Sequence, residues 1–409
     1  MSAQINIFSE IGKLNKVMIH RPGRELEGLI PDNFERLLFD DIPNLEIAQK
    51  EHDYFADILR QNDVEVLYLT DLLNESISDE IIKKQFLNEF LEESGIHETY
   101  YKESMSDYLL SKGSKEMIEV MLAGIRKKEL IIKRSVVSNE ITSNSSIFYT
   151  DPIPGAYFSR DPATCIGNGI SINSMSTKAR KREALMVKYI YLYNKKFRSD
   201  ETPLWCDYND PYYIEGGDIL ILSKEVLAIG FSQRTTIEGI KALAGNLFKG
   251  QSCIKKILVF EIPKCRAFMH LDTVFTMVDY AKFTIHSEIE GALNIYEITM
   301  DKSKNLVFSN VSASLKDILC KALKSDDIEL IKCGGGDELA GPREQWNDGS
   351  NTLAIAPGVV ITYNRNYVTN ELLDKSGVKV LAMPSSELSR GRGGPRCMSM
   401  PINRDNINL

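Results

Sequence analysis

No uninterrupted apolar run in this 409-residue chain approaches the roughly 20 residues that a bilayer-crossing helix needs, so no membrane association is expected. The opening stretch MSAQINIFSEIGKL lacks both a basic start and a long apolar segment, so a secretory signal is not expected either. Seven cysteines stand at 165, 206, 253, 265, 320, 333 and 397; the number is odd, and none are paired at C-x-x-C spacing. That pattern argues against a disulfide framework and against a zinc ribbon. Thiols with neither export signal nor anchor point to a soluble cytoplasmic protein. A basic surplus is also missing: 49 Lys and Arg against 57 Asp and Glu leave a net charge of −8. Phosphate binding needs clustered Lys and Arg, so nucleic acid is not an expected partner, whereas a small cation would be attracted. No G-x-x-x-x-G-K-[ST] loop and no dinucleotide fingerprint occur.

Proline is absent between Pro43 and Pro152, and the tract 74–134 is dense in Glu, Lys, Ile, Leu and Met. There Ile81, Ile82, Phe86, Phe90 and Leu91 fall on one helical stripe, and Met117, Ile118, Met121, Leu122 and Ile125 on another. The spacing predicts several helices packed as a small bundle. On either side the texture is α/β. LNKVMIH (14–20) reads as a buried strand ended by Arg21-Pro22-Gly23, residues 44–61 as a helix, and VEVLYL (64–69) as a strand. Beyond 151, 214–223 and 226–230 read as a hairpin, and 255–262, 356–364 and 378–383 as strands, with a helix at 369–377. CGGGDELAG (333–341) reads as a structured turn. An apolar share of 43% supports a large core; the length permits two or three domains or one large α/β domain.

Three local patterns carry chemistry. In SELSRGRGGPRCMSMP (386–401), Cys397 follows a tight glycine–proline loop and is flanked by Arg390, Arg392 and Arg396. A thiolate is a nucleophile and neighbouring positive charge favours it, although a buried cysteine of a C-terminal strand reads equally well. His270 is one of only five histidines, and His270-Leu271-Asp272 on a strand would point His and Asp to one face as a general acid/base beside a carboxylate. A lone core histidine is the commoner case. Asp161 before Pro162, and Glu215 before Gly216-Gly217-Asp218, are carboxylates at turns, and simple turn chemistry would explain each. Together they fit thiol chemistry on a cationic substrate held by carboxylates.

The blocks FSEIGKLNKVMIHRPG (8–23), RLLFDDIP (36–43), YFSRDP (157–162), IEGGD (214–218), FMHLDTVFTM (268–277), REQWNDGSN (343–351) and RGRGGPRCMSMP (390–401) resemble the arginine deiminase family along essentially the whole chain. The resemblance implies an α/β fold of the guanidine-modifying (pentein) class. That is a five-fold pseudosymmetric propeller forming one catalytic domain over residues 1–409, with a helical bundle inserted at 74–148. It implies hydrolysis of arginine to citrulline and ammonia, with Cys397 as nucleophile, His270 as proton carrier, Glu215 as its partner, and Asp161 and Asp272 gripping the guanidinium. Arg180, Arg234 and Arg392 would read the α-carboxylate and close the site, and Phe158 would lie along the aliphatic stem. No cofactor and no metal are implied; family members are commonly homo-oligomers. One departure stands out: where the family usually reads Pro-Asn-Leu-Tyr-Phe-Thr-Arg-Asp, this chain has Pro154-Gly155-Ala156-Tyr157-Phe158-Ser159-Arg160-Asp161, and Ala163 replaces a common phenylalanine. The usual asparagine helps to hold the α-carboxylate. The substrate is therefore expected to be arginine or a related guanidine or ureido compound, with amidinotransfer as a further alternative.

Overall fold

The computed structural model describes residues 5–132, 146–197, 202–250, 252–265, 267–289 and 293–407. Among these the architecture is mixed α/β, built from small sheets rather than one continuous one. Five of the sheets repeat one pairing. A short antiparallel pair is extended by a third strand that runs parallel to one of its members. This occurs with Ala163–Ile166, Gly169–Ile172 and Leu204–Cys206, and with Ile219–Ile221, Val226–Phe231 and Lys256–Glu261. It recurs with Phe275–Asp279, Lys282–Ile285 and Glu329–Lys332, and with Leu353–Ala356, Val359–Tyr363 and Lys379–Met383. The last joins the chain's two ends: Met400–Arg404 lies antiparallel to Leu14–Ile19, which is parallel to Glu65–Tyr68. A parallel neighbour requires a crossover, and helices such as Leu45–Gln61, Lys178–Tyr193, Ile237–Lys249 and Tyr367–Lys375 supply it.

Helix 44–61 begins where expected because the Asn44 side chain accepts the Ile47 amide, satisfying one of the free N–H groups at its start. Strand 64–69 is cut short, since Leu69 already opens a helix, Leu69–Ser76. The stretch 356–364 holds the last residue of one strand and the whole of its hairpin partner, Val359–Tyr363. Residues 214–218 are not strand: Glu215 is extended and Gly216–Asp218 form a single 3-10 turn ahead of the hairpin. In Cys333–Gly336, Gly334, Gly335 and Gly336 have φ of 59°, 69° and 71°, a left-handed run that L side chains resist.

The proline-free tract folds into helices Leu69–Ser76, Glu80–Glu93, Thr99–Leu110 and Ser114–Ala123, while 133–145 of the expected bundle lie outside the described residues. Phe86, Phe90 and Leu91 are buried, as are Met117, Ile118, Met121, Leu122 and Ile125. Ile81 breaks its stripe: it sits in the first turn of its helix and is 78% exposed. These helices share an apolar cluster with the Lys178–Tyr193 helix, where Phe86 meets Tyr189 edge-on at 4.9 Å. Phe86→Ala is expected to cost about 3–5 kcal/mol, seen as a lower denaturant midpoint. Ile81→Ala should stay within about 0.5 kcal/mol.

Candidate active site

Each candidate catalytic residue lies in the segment that leads into the first strand of an antiparallel pair. Asp161 precedes Ala163–Ile166, Glu215 precedes Ile219–Ile221, His270 and Asp272 precede Phe275–Asp279, and Cys397 precedes Met400–Arg404. The fifth such segment, before Leu353–Ala356, carries Asn351. Hydrogen bonds link the five in a closed circuit. The Arg160 amide donates to the Cys397 carbonyl (3.1 Å) and the Gly216 amide to the Asp161 carbonyl (3.0 Å). Asp218 Oδ1 then accepts the Leu271 amide at 2.8 Å. Asn351 Nδ2 donates to the Asp272 carbonyl at 3.0 Å, and Asn351 Oδ1 accepts the Cys397 amide at 3.0 Å. The strand expected at His270-Leu271-Asp272 is instead one helical turn, Leu271–Val274, with His270 extended just before it. Side-chain separation therefore comes from a turn rather than from strand alternation.

Cys397 Sγ lies 3.6 Å from Asp272 Oδ2. That oxygen also accepts Arg396 Nη1 at 2.7 Å, while Oδ1 is buried with no hydrogen-bond partner. His270 Nε2 meets Glu215 Oε2 at 2.8 Å, and its Nδ1 lies 3.7 Å from Asp161 Oδ1. Glu215 is fixed by the amide and hydroxyl of Ser176 on its other oxygen, at 3.0 and 2.8 Å. Asp161 is not in a simple turn. Its Oδ1 accepts the Gly217 amide at 3.1 Å and its Oδ2 accepts Arg180 Nη1 at 2.6 Å. Gly217 has no alternative here, because a Cβ would stand 2.6 Å from the His270 ring and 2.9 Å from Asp161 Oδ1. A cleft of about 460 Å³ opens over Cys397, His270 and Asp161, with Phe158, Arg180, Arg234 and Arg392 in its wall.

Burial and charge set two opposite proton affinities. Burial opposes a charge on His270, but the Asp161 charge, the Glu215 hydrogen bond and the Asp218 charge outweigh it and push its pKa up to about 9. The imidazole is a cation at neutral pH. Glu215 is the converse: burial would raise it, yet the His270 hydrogen bond and the Arg234, His270 and Arg180 charges hold it well below the carboxylate range. Burial pushes the Cys397 thiol well up, and the charges of Asp272, Asp161 and Asp348 add to that against Arg396. Of the loop's arginines Arg396 does favour the thiolate, as its place in the sequence suggests, but burial and the carboxylates outweigh it. Arg390 pairs with Asp41 at the surface. Arg392 stacks on Trp346 at 3.5 Å. Arg396 is shared between Asp272 and Glu10, at 2.7 and 3.1 Å. Gly391 and Gly393 of the same loop pack under the Tyr157 and Phe158 rings.

Arg180 is bound to Asp161 and Glu183. Arg234 has its Nη1 buried and unpartnered. Asp161, Glu215 and His270 lie close enough to gather around an ion. Their nearest atoms are already committed to one another and to Ser176, Gly217 and Arg180, and a protonated imidazole is no ligand. Sequence reading missed Glu10, Asn351 and Asp218. Glu10 left one signal, a lone carboxylate between Phe8 and Ile11. On this geometry, alkylation at neutral pH should modify the exposed Cys265 long before Cys397, and the Cys397 rate should still be rising above pH 9 when followed by peptide mass spectrometry.

Comparison with known proteins agrees with these blocks. A family model described as arginine deiminase matches residues 35–404. An arginine deiminase of Bacillus cytotoxicus is 50% identical over 410 residues, covering 100% of both chains. One from Clostridium perfringens is 51% identical over 409 residues, covering 98% of each. Among solved structures, the amidinotransferase SxtG from Microseira wollei aligns with a TM-score of 0.54 at 15% identity, over 99% of this chain and 98% of that one. A dimethylarginine dimethylaminohydrolase from Pseudomonas aeruginosa, complexed with citrulline, gives 0.52 at 14% identity over 95% and 99%. The last two share the fold; the first three, with the convergence of Cys397, His270 and the buried carboxylates, place the chain in the arginine deiminase family.

Proposed function

We propose that the protein hydrolyses L-arginine to L-citrulline and ammonia through a covalent intermediate on Cys397. The observation that carries this reading is the buried Asp272 carboxylate: its Oδ2 lies 3.6 Å from the Cys397 sulfur, its Oδ1 has no hydrogen-bond partner, and a cationic His270 lines the same cleft as Cys397. A buried carboxylate oxygen without a donor is costly, and a guanidinium, planar and always charged, supplies the N–H it lacks. Asp161 would take a second edge of the same group, so the carbon is presented to sulfur from a fixed direction.

Guanidinium binding offsets the carboxylate field that raises the thiol, and Cys397 releases its proton to solvent. The thiolate adds to the guanidinium carbon. His270, charged and oriented by Glu215, hands its proton to the departing nitrogen, and the C–N bond breaks to release ammonia. The amidino-cysteine that remains is a thiouronium cation. Neutral His270 then takes a proton from water as the oxygen adds to carbon. Collapse expels the sulfur as the hydroxyl proton passes to it, which restores the Cys397 thiol and leaves the ureido group of citrulline. Asp272 and Asp161 stay charged throughout and stabilise each cationic stage.

Arg180, Arg234 and Arg392 would meet the α-carboxylate and Phe158 the stem. The recurrent sheet pairing and the closed hydrogen-bond circuit support a pseudo-fivefold propeller over residues 1–409 as one catalytic domain, with the tract 74–148 as an inserted bundle. We propose a homo-oligomer located in the cytoplasm; no helix among the described residues is long and apolar enough to cross a membrane. Gly155 keeps a related guanidine open as the preferred substrate.

Citrulline and ammonia release should be measured on arginine, agmatine and citrulline; no turnover of arginine would sink the assignment. Cys397→Ser should abolish turnover, and mass spectrometry of quenched wild-type enzyme should show the amidino adduct on Cys397. The decline of kcat/KM on the alkaline side should track loss of the His270 proton near pH 9. In Glu215→Gln that decline should move to lower pH, because the group that raises His270 is weakened. An unmoved limb removes His270 from the role of proton donor.

A further inference from the structure

Arg180 already places a guanidinium on a carboxylate assigned to the substrate. Its Nη1 donates to Asp161 Oδ2 at 2.6 Å and lies 4.0 Å from Glu215 Oε2. Glu183 holds the rest of the group, accepting Nε at 3.1 Å on both oxygens and Nη2 at 2.7 Å. The backbone carbonyls of Gly155 and Phe158 lie beyond, 3.5 and 3.4 Å from Nη2. The whole assembly is buried. Gly155 is what makes room for it. A Cβ at this position would stand 2.9 Å from Glu183 Oε1 and 3.2 Å from Arg180 Nε, so a side chain there pushes against the pair and makes it shift.

We propose that Arg180, in the pose Gly155 permits, is an internal competitor for the guanidinium subsite and thereby selects substrates that carry an α-carboxylate. This rests on the reading of Asp161 as a guanidinium ligand. An incoming guanidinium must replace Arg180 on Asp161, and removing one partner of a buried ion pair is costly unless the freed charge finds another. Arginine provides that partner in its own carboxylate. A guanidine without a carboxylate leaves Arg180 with Glu183 alone, so it gains Asp161 at the expense of one of the two ion pairs that hold Arg180. Discrimination then comes from a penalty on the wrong ligand as well as from a contact with the right one. The asparagine usual in the family would add a carboxylate contact; Gly155 replaces that contact with an exchange.

Methylguanidine, which has the head group and no carboxylate, is the probe. Its affinity is read from protection of Cys397 against alkylation, a measurement that does not need turnover, alongside kcat and KM for arginine and agmatine. In Gly155→Ala, where alanine offers no carboxylate contact of its own, methylguanidine should bind roughly tenfold more tightly and the preference for arginine over agmatine should narrow. In Arg180→Gln the two ligands should diverge: methylguanidine affinity rises while KM for arginine also rises. A purely structural role would weaken both together. Unchanged or weaker methylguanidine binding in Gly155→Ala overturns the proposal, and that variant keeps the test decisive if Arg180→Gln fails to fold. Wild-type enzyme that protects Cys397 with methylguanidine yet leaves arginine untouched would refute the assigned reaction instead.

Discussion

The Arg160 amide reaches the Cys397 carbonyl, the Gly216 amide reaches Asp161, the Leu271 amide reaches Asp218, and Asn351 spans from Asp272 back to the Cys397 amide. These contacts join segments that are far apart in the chain, and the last closes on the first. The reacting groups hang from this circuit, so their spacing is inherited from backbone positions rather than from flexible side chains. Buried polar groups must find partners, and here the partners are one another. The same rule explains Arg396. Its guanidinium sits between Glu10 and Asp272 and donates to the Ile219 carbonyl, which gives both buried carboxylates a partner where water is scarce. Glu10 accordingly lies low, at about 2: burial opposes its charge, and Arg396, Arg160 and Arg404 outweigh it.

A second consequence is the division of labour between histidine and cysteine. Both are buried in one cleft, and burial works against the charged form of each. The surrounding carboxylates then favour a cation and oppose an anion, so His270 gains a proton while Cys397 keeps its own. The free enzyme is therefore a poor general thiol reagent. On the proposed reading a cation entering among the carboxylates makes the thiol competent, which couples reactivity to recognition of the ligand.

Much of the local structure is legible in the sequence, because it follows from short-range rules. Residues 14–20, 44–61 and 255–262 show their periods plainly, and the proline-free tract reads as helices. The reading fails where position in the helix overrides period, as at Ile81, and where a turn interrupts a hydrophobic run, as at 214–218 and 270–274. The chemical types of the site were visible as one cysteine, one histidine and several carboxylates; their roles came from the resemblance of whole blocks to a family. Glu10, Asn351 and Asp218 were not legible, since each acts on a segment reached only through the fold. The recurrent sheet pairing escaped notice for a related reason. It repeats as hydrogen-bond topology, and no residue pattern of fixed period accompanies it.

The pairing of Met400–Arg404 with Leu14–Ile19 has a consequence for the making of the protein. Met400–Arg404, the strand that follows Cys397, docks on a strand reached only across most of the sequence. Until it docks, Leu14–Ile19 lacks its antiparallel neighbour, Glu10 lacks Arg396, and the circuit around the cleft is open. Contacts of such long sequence separation form slowly and reward the chain only at the end. Closing the circuit and bringing the Cys397 sulfur to Asp272 are therefore one event.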